Sequence, residues 1–329
     1  MMKILVTGSA GFIGFHLSRK LLMEGNEVIG IDNLNNYYDK RLKIDRLNIL
    51  KNYNNFIFEK IDITNSLKLS KVFDRHKIKI IVNLAAQAGV RHSLKKPEEY
   101  ISTNIIGFFN LLEVCRKFKI KNLLFASTSS VYGKSEKFPI KEEYETSKPL
   151  QLYAATKKSN EVMAYSYHSL YGLNAIGLRF FTVYGPWGRP DMALYKFAHK
   201  ILNKKKIEVY NNGNHFRDFT YIDDITAGIF GLIQKIKKKR KNKIFKIFNI
   251  GNNKVINLKH FIKEIEISLN IKAKKKYLNL QKGDTLKTHS STKKISKFMN
   301  YKPQTDTKKG IGKFLEWFKK YHKKYKVHD

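Results

Sequence analysis

Apolar positions in the first half of the chain follow two alternating spacings. Short apolar runs at 3–6, 27–31, 55–59, 80–83, 122–127 and 175–181 are bounded by glycine or polar residues and read as buried strands. Between them, residues 12–22, 67–76, a long segment from Pro97 and residues 153–171 place apolar side chains at helical intervals. Proline suits the first turn of a helix, and the segment it opens carries Ile101, Ile105, Phe108, Leu112 and Cys115 along one face. Gly25 and Gly172 mark helix stops. Strands alternating with helices predict an α/β fold built on a doubly wound parallel sheet of Rossmann type. After Gly185-Pro186 the alternation fades, leaving helices near 258–269 and 311–321 and one strand, 245–250, that returns to the main sheet. Two interleaved domains are therefore expected: 1–183 with about 216–252, and a smaller α/β domain from about 184–215 with 253–329.

Immediately after the first strand, Thr7-Gly8-Ser9-Ala10-Gly11-Phe12-Ile13-Gly14 opens the first helix. Glycines in such a turn let the backbone approach a pyrophosphate, which the free N–H groups of the helix start attract. The spacing Gly-x-x-Gly-x-x-Gly is one residue wider at its start than the commonest dinucleotide fingerprint, and alone it could be only a tight turn. Asp32, ending the second strand, strengthens the dinucleotide reading. A carboxylate there accepts from both ribose hydroxyls and repels a 2′-phosphate, which favours NAD over NADP.

Tyr153 and Lys157 stand one helical turn apart, downstream of Ser127-Thr128-Ser129. A phenol ionises near pH ~10, too high for a base at neutral pH. An ammonium on the same helix face can stabilise the phenolate. A shift of about 3 units needs only about 4 kcal/mol, and a cationic nicotinamide would add to it. Tyr-x-x-x-Lys alone is common on exposed helix faces; its weight comes from the trio before it.

Composition narrows the remaining classes. The chain has 329 residues, 42% hydrophobic and 13% aromatic, which fits a globular protein. Its one cysteine, Cys115, lies on an apolar helix face and rules out a disulfide framework; with no long apolar run, a cytoplasmic protein without membrane insertion is expected. The formal charge of +37 would suit a nucleic-acid partner. The lysines are scattered, however, with an excess of Ile and Asn that fits AT-rich codons, and the densest run, 237–241, reads as a solvated loop. No nucleic-acid partner is expected, though the field would attract an anionic small substrate. His199 and His215 stand alone and read as solvated or packed, so no metal is expected.

Together with Val131-Tyr132-Gly133, these motifs resemble the extended short-chain dehydrogenase/reductases that act on nucleotide sugars. The resemblance narrows at Ala85-Ala86-Gln87-Ala88-Gly89-Val90-Arg91, at Tyr153-Ala154-Ala155-Thr156-Lys157-Lys158, over Leu178-Arg179-Phe180-Phe181-Thr182-Val183-Tyr184-Gly185-Pro186-Trp187-Gly188-Arg189-Pro190-Asp191-Met192, and at Arg217-Asp218-Phe219-Thr220-Tyr221-Ile222-Asp223-Asp224-Ile225. These segments are similar to those of UDP-glucuronate 4-epimerases, and the likeness covers nearly the whole chain. It implies an isomerase that holds NAD tightly and interconverts UDP-glucuronate and UDP-galacturonate through a 4-keto sugar. Tyr153 would take the proton of the sugar 4-hydroxyl, Thr128 would hydrogen-bond the same oxygen, and Lys157 would lower the tyrosine and bind the nicotinamide ribose.

The resemblance also implies a cofactor site made by Gly8, Gly11, Phe12, Ile13, Gly14, Asp32 and Asn33. Asp62 and Ile63 would lie near the adenine, Ala85, Ala86 and Gln87 along the cofactor, and Asn104, Ser127 and Phe180 beside it. For the UDP-sugar it implies Arg217 at the diphosphate and Asp284 at the uridine ribose, with Arg91, Ser129, Thr182, Arg189 and Met192 around the sugar. The segment Thr285-Leu286-Lys287-Thr288-His289-Ser290 departs from the family's usual pattern after Asp284. A homodimer through the helices after Pro97 and Tyr153 is implied as well. Dehydratases of this group carry Asp-Glu directly after the active-site Thr, and decarboxylases a Glu before Val-Tyr-Gly, where this chain has Ser129 and Ser130. The alternatives are a 4-epimerase of neutral or N-acetylated UDP-hexoses, a UDP-glucuronate decarboxylase, or a silent NAD-binding regulator. The intact Thr128, Tyr153 and Lys157 argue against the last.

Overall fold

The structure, a computed structural model, describes residues 2–238, 243–281 and 283–325. Seven parallel strands form one sheet in the order Phe245–Ile250, Asn174–Phe180, Asn122–Thr128, Ile80–Asn83, Lys3–Thr7, Glu27–Asp32, Phe56–Lys60. Alternate residues of a strand reach opposite faces of a sheet. In the first strand Ile4 and Val6 join one core while Leu5 joins the other, and all three are fully buried. Burial on both faces is why these strands read as unbroken apolar runs rather than alternating ones. The chain reverses its winding direction beside Lys3–Thr7, which lies between Glu27–Asp32 and Ile80–Asn83. In open parallel sheets the crevice at such a reversal, outside the carboxyl ends of the strands, is the ligand-binding edge.

The helices Phe12–Met23, Ser66–Arg75 and Leu152–Tyr171 fall where the periodicity predicts, with Gly25 and Gly172 at positive φ after the first and last. A helix over Lys40–Lys51 is not predicted by the apolar pattern. It starts at Asp39, whose side chain accepts the Arg41 N–H, and its buried face includes Lys43 and Arg46, so no clean apolar stripe marks it. The segment from Pro97 is continuous but uneven: Pro97–Tyr100 leads into a π-helical stretch, Ile101–Ile106, before α-helix resumes over Gly107–Lys117.

Beyond Gly185 the described residues add helices Ala193–Leu202, Ile222–Lys238, Leu258–Leu269, Lys293–Met299 and Thr307–Tyr325, with two two-stranded sheets and a third that pairs Phe219–Tyr221 with Thr182–Tyr184. Phe261, Phe314 and Phe318 belong to the same buried cluster as Ile4 and Val6, so this part packs onto one face of the main sheet without a solvent layer. The basic run 237–241 begins inside helix Ile222–Lys238, where Lys237 donates to Asn26 at 3.0 Å; its start is therefore helix and not loop, and 239–241 lie outside the described residues. No helix among the described residues is long and apolar enough to cross a membrane.

Candidate active site

The carboxyl ends of the first two strands bring the glycine turn against Asp32. Gly8 has φ +70°, and a Cβ there would fall 2.8 Å from the Ala85 backbone nitrogen; one on Gly14 would fall 2.0 Å from the Gly8 carbonyl oxygen. Only glycine lets helix Phe12–Met23 start this close to the strands. That helix begins at Gly11 with no side-chain cap and no acidic residue in its first turn, leaving its leading N–H groups to an anion. Buried Asp32 accepts from the Ala10 N–H at 3.2 Å and the Leu34 N–H at 2.8 Å. Asn33 donates to Asp62 at 2.7 Å, and Asp62 also accepts the Thr64 N–H and hydroxyl. Burial pushes the Asp62 carboxyl up, but these donors hold it below its ordinary value. Ile63 packs against Gly107, and its carbonyl accepts from Asn110 at 3.1 Å. The Ala85 N–H donates to the Thr7 hydroxyl at 3.1 Å, Ala86 is half-buried, and the Gln87 amide nitrogen is buried without a partner. An uncapped helix start, an acceptor at the second strand end and an orphaned amide along the edge fit a dinucleotide.

Tyr153 is the second residue of helix Leu152–Tyr171, and its ring packs edge-on to Tyr100 at 6.1 Å. Thr128 ends the fifth strand opposite Phe180, and its hydroxyl lowers the Tyr153 phenol. Its hydroxyl also donates to Ser130 Oγ and accepts the Ser130 N–H, both at 3.2 Å, which seats it at the head of the short turn Ser129–Tyr132. Burial pushes the Tyr153 phenol above its ordinary value, while Arg189 and the Thr128 hydroxyl pull it down. Lys157 is 1% exposed and donates to Asn160 Oδ1 at 2.8 Å. Desolvation lowers its ammonium to about 7, against the pull of Glu161. The helical spacing predicts Lys157 as the cation acting on the phenol. Lys157 Nζ donates to Asn160, one turn further along the same helix, and the Arg189 charge also lowers the Tyr153 phenol.

The lysine shift carries a test. The folded chain gives up this proton near pH 7, whereas an ordinary lysine holds it to 10.5. Burying Lys157 therefore costs stability that grows as pH falls from 10.5 toward 7 and stays constant below. Without cofactor, Lys157→Met should gain melting temperature relative to the parent as pH is lowered from about 9 to about 6.5. A difference independent of pH would mean that Lys157 keeps its ordinary proton affinity.

The wide π turn brings Asn104 to the sheet and leaves Ile101 exposed. Asn104 Oδ1 accepts the Gln87 N–H at 2.8 Å, and its amide donates to the Gln87 carbonyl and the Thr156 hydroxyl, each at 3.0 Å. Asn160 donates to the Asn104 carbonyl at 2.6 Å, so one hydrogen-bonded line runs from Gln87 to Lys157. Ser127 donates to Glu161 at 2.7 Å, and Arg179 grips the same carboxylate with two bonds of 2.8 Å.

On the opposite side, Thr182 opens the strand Thr182–Tyr184, and its N–H donates to the Asp218 carbonyl at 3.1 Å. Thr182, Arg189 and Met192 line one recess with Gly185, Phe219 and Phe12. The Arg189 guanidinium is not free there: it forms a bidentate pair with Asp191, whose carboxylate also accepts the Tyr37 hydroxyl at 3.2 Å. Ser129 is half-buried beside Thr128. Arg91 pairs with Asp284 at 3.3 Å and lies over the Tyr210 ring, which places it with the residues expected at the uridine end. Arg217, near Asp284, is lowered by burial and donates to the Phe216 and Leu286 carbonyls at 3.1 Å each. The departing segment 285–290 is held by backbone bonds to Phe216 and by Ser290, whose N–H donates to buried Asp218 at 2.9 Å. A Cβ on Gly251 would run into the Ser290 side chain, so Gly251 must stay without one. His199 packs its ring 5.7 Å from that of His322, and His215 is buried. Among the described residues no three His, Cys, Asp or Glu gather as metal ligands.

The residues that sequence reasoning missed are Lys43, Arg46, Glu161 and Asp191. Lys43 Nζ lies 3.9 Å from Asp32 and donates to Asn35 at 2.6 Å, adding a cation beside the second strand end. Asp191 lies within the 178–192 motif, and its place two residues after Arg189, the arginine it pairs with, was the available signal.

The profile of the NAD dependent epimerase/dehydratase family matches residues 4–251. Protein CapI of Staphylococcus aureus is 48% identical over 98% of this chain and 100% of that protein. A UDP-glucuronate 4-epimerase of Thermodesulfobacterium geofontis is 42% identical, covering 96% of this chain and 95% of its own. Among solved structures, the UDP-glucuronic acid 4-epimerase of Bacillus cereus, in complex with UDP-glucuronic acid and NAD, superposes with a TM-score of 0.91 at 34% identity over 97% of this chain and 100% of that one.

Proposed function

From the premise that the chain belongs to the NAD dependent epimerase/dehydratase family, we propose that it interconverts UDP-glucuronate and UDP-galacturonate by 4-epimerisation. Its relative from T. geofontis and its structural neighbour from B. cereus support that substrate. The observation that carries the reading is the Thr128 hydroxyl acting on the Tyr153 phenol, with Ser130, rather than a carboxylic acid, as the hydrogen-bond partner of Thr128. When bound, NAD contributes a hydride acceptor beside the sugar C4 that is regenerated within each turnover. Its pyrophosphate would meet the uncapped helix start after Gly11, its adenosine ribose Asp32 with Lys43, and its nicotinamide ribose Lys157.

Tyr153 holds the proton of the sugar 4-hydroxyl, taking it as C4 becomes a ketone and returning it when C4 is reduced on the other face. Thr128 bonds the same oxygen and is kept in its rotamer by Ser130. The 4-keto form of glucuronate is a β-keto acid, so the site must hold the carboxylate without offering a proton. Thr182 and the Arg189–Asp191 pair meet both requirements. With Nε and Nη2 taken by Asp191, the arginine meets the carboxylate through Nη1, while Asp191, held below its ordinary range by Arg189 against the push of burial, is no proton donor at neutral pH. Arg217, Arg91 and Asp284 receive the UDP end. The cofactor would be held by 1–183 with about 216–252, and the UDP-sugar covered by about 184–215 with 253–329. Exposed Ile106, Phe109, Val162 and Tyr165 on the two long helices supply an apolar face for a homodimer.

The deciding experiment incubates purified protein with UDP-glucuronate, adds no reductant, and separates the UDP-sugars. UDP-galacturonate is expected, and UDP-pentose as the main product would sink the reading of Ser130. Thr182→Asn should lower turnover of UDP-glucuronate by about tenfold more than that of UDP-glucose, the scale of one or two polar contacts. An unchanged ratio would remove Thr182 from the carboxylate site.

A further inference from the structure

Arg46 has 0% exposure and is among the largest fully buried side chains, yet no carboxylate among the described residues pairs with it. Burying an unpaired cation costs several kcal/mol unless its donors are otherwise engaged, and in a chain of formal charge +37 such burial needs a local reason. Two backbone carbonyls and one phenol engage the terminal nitrogens of Arg46, leaving Nε buried without a partner: Nη1 donates to the Ala10 oxygen at 2.9 Å and to the Tyr38 hydroxyl at 2.8 Å, and Nη2 donates to the Trp187 oxygen at 2.6 Å.

Each carbonyl belongs to the third residue of a four-residue turn, with Trp187 at positive φ in the second. Ala10 lies in the turn closed by the Gly11 N–H to the Gly8 oxygen at 2.9 Å, and Trp187 in the turn closed by the Gly188 N–H to the Gly185 oxygen at 3.1 Å. The first turn leads into the cofactor helix; the second leads into Arg189, Asp191 and Met192. A second bond joins the same parts, because His16 of the cofactor helix binds the Pro186 oxygen at 2.9 Å. Burial lowers the His16 ring to about 3, so it is neutral and donates through Nε2 at any working pH. Both central carbonyls of the Gly185–Gly188 turn are thus held from the cofactor side.

We propose that Arg46, supported by His16, is a positioning residue that couples the two ligands: it locks the cofactor turn to the sugar-side turn, so that an ordered cofactor fixes Arg189 beside Tyr153 and a bound UDP-sugar in turn slows cofactor escape. Reciprocity is required of any such coupling. This rests on the reading of the site as one for NAD and a UDP-sugar.

The test uses protein purified with its bound NAD and follows NAD release by trapping it with an NAD-reducing dehydrogenase, with and without saturating UDP-glucuronate. The parent should release NAD about tenfold more slowly with the sugar nucleotide present, within the usual range of coupling between sites. Arg46→Met should bring that ratio to within about twofold and raise KM for UDP-glucuronate more than it lowers kcat. Arg46→Lys keeps the charge but cannot bridge both carbonyls; it should lose the coupling in the same way and serves where the Met variant does not fold. A parental ratio retained in either variant, or a parent with no sugar-dependent slowing, overturns the proposal. Products separated from the same samples report the epimerase reading independently, so the two can fail apart.

Discussion

Tyr153→Phe should lower turnover by about a thousandfold, within the range lost when a positioned acid–base group is removed, while NAD stays bound. The ring is held by packing against Tyr100, which phenylalanine preserves, and Thr128 keeps its bonds to Ser130 without the phenol. Nothing else at the sugar oxygen can replace the lost group: the Thr128 and Ser129 hydroxyls are far too weakly acidic to exchange a proton near neutral pH. Tyr153 also stands in the first turn of a long helix with no acidic residue there, so the positive end of the helix favours its phenolate. Measuring product formation beside the NAD released on denaturation checks both halves. Activity within tenfold of the parent would remove Tyr153 as the base.

Arg179→Met should cost about 3–5 kcal/mol of stability, because it leaves the buried Glu161 carboxylate with only Ser127 and a 3.5 Å contact to Lys158. Both side chains of the pair are 4% exposed, and Arg179 also donates to the Glu142 carbonyl at 3.0 Å and stacks over Tyr132. Burial pushes Glu161 up, and it is chiefly the Arg179 bonds, helped by Ser127, that bring it below its ordinary value. Without the arginine the carboxyl would sit above the unfolded value, so the loss should be full at neutral pH and shrink as pH falls toward the ordinary glutamate range. Urea unfolding at two pH values measures this. Replacing both partners, Arg179→Met with Glu161→Leu, should recover much of the loss. A single variant that loses under about 1 kcal/mol would mean that the pair contributes little more than a surface contact.

What could be read in the sequence was local in the chain. The glycine turn, Asp32 and the Tyr153–Lys157 spacing each lie within one strand–turn–helix unit, where hydrophobic period and turn chemistry suffice. Arg46 and Trp187, or Ser127 and Glu161, meet only after the sheet is wound, and no periodicity carries that information. Helix Lys40–Lys51 was illegible for a related reason: its inward face is partly charged, because those charges serve the cofactor turn and not the core.

The π-helical stretch Ile101–Ile106 sets two faces of one helix out of phase. Each residue in an α-helix advances about 100°, so the added width rotates everything upstream by a fraction of a turn against the apolar seam of Phe108, Leu112 and Cys115. Removing one residue from the stretch would give a more regular helix that packs just as well downstream. It would also carry Asn104 away from Gln87 and Thr156 and cut the line to Lys157 at its middle. The irregularity therefore works as a phase adjustment between a rod that must fit the core and a polar group that must reach the site, and the length of that short stretch is under tighter constraint than its composition.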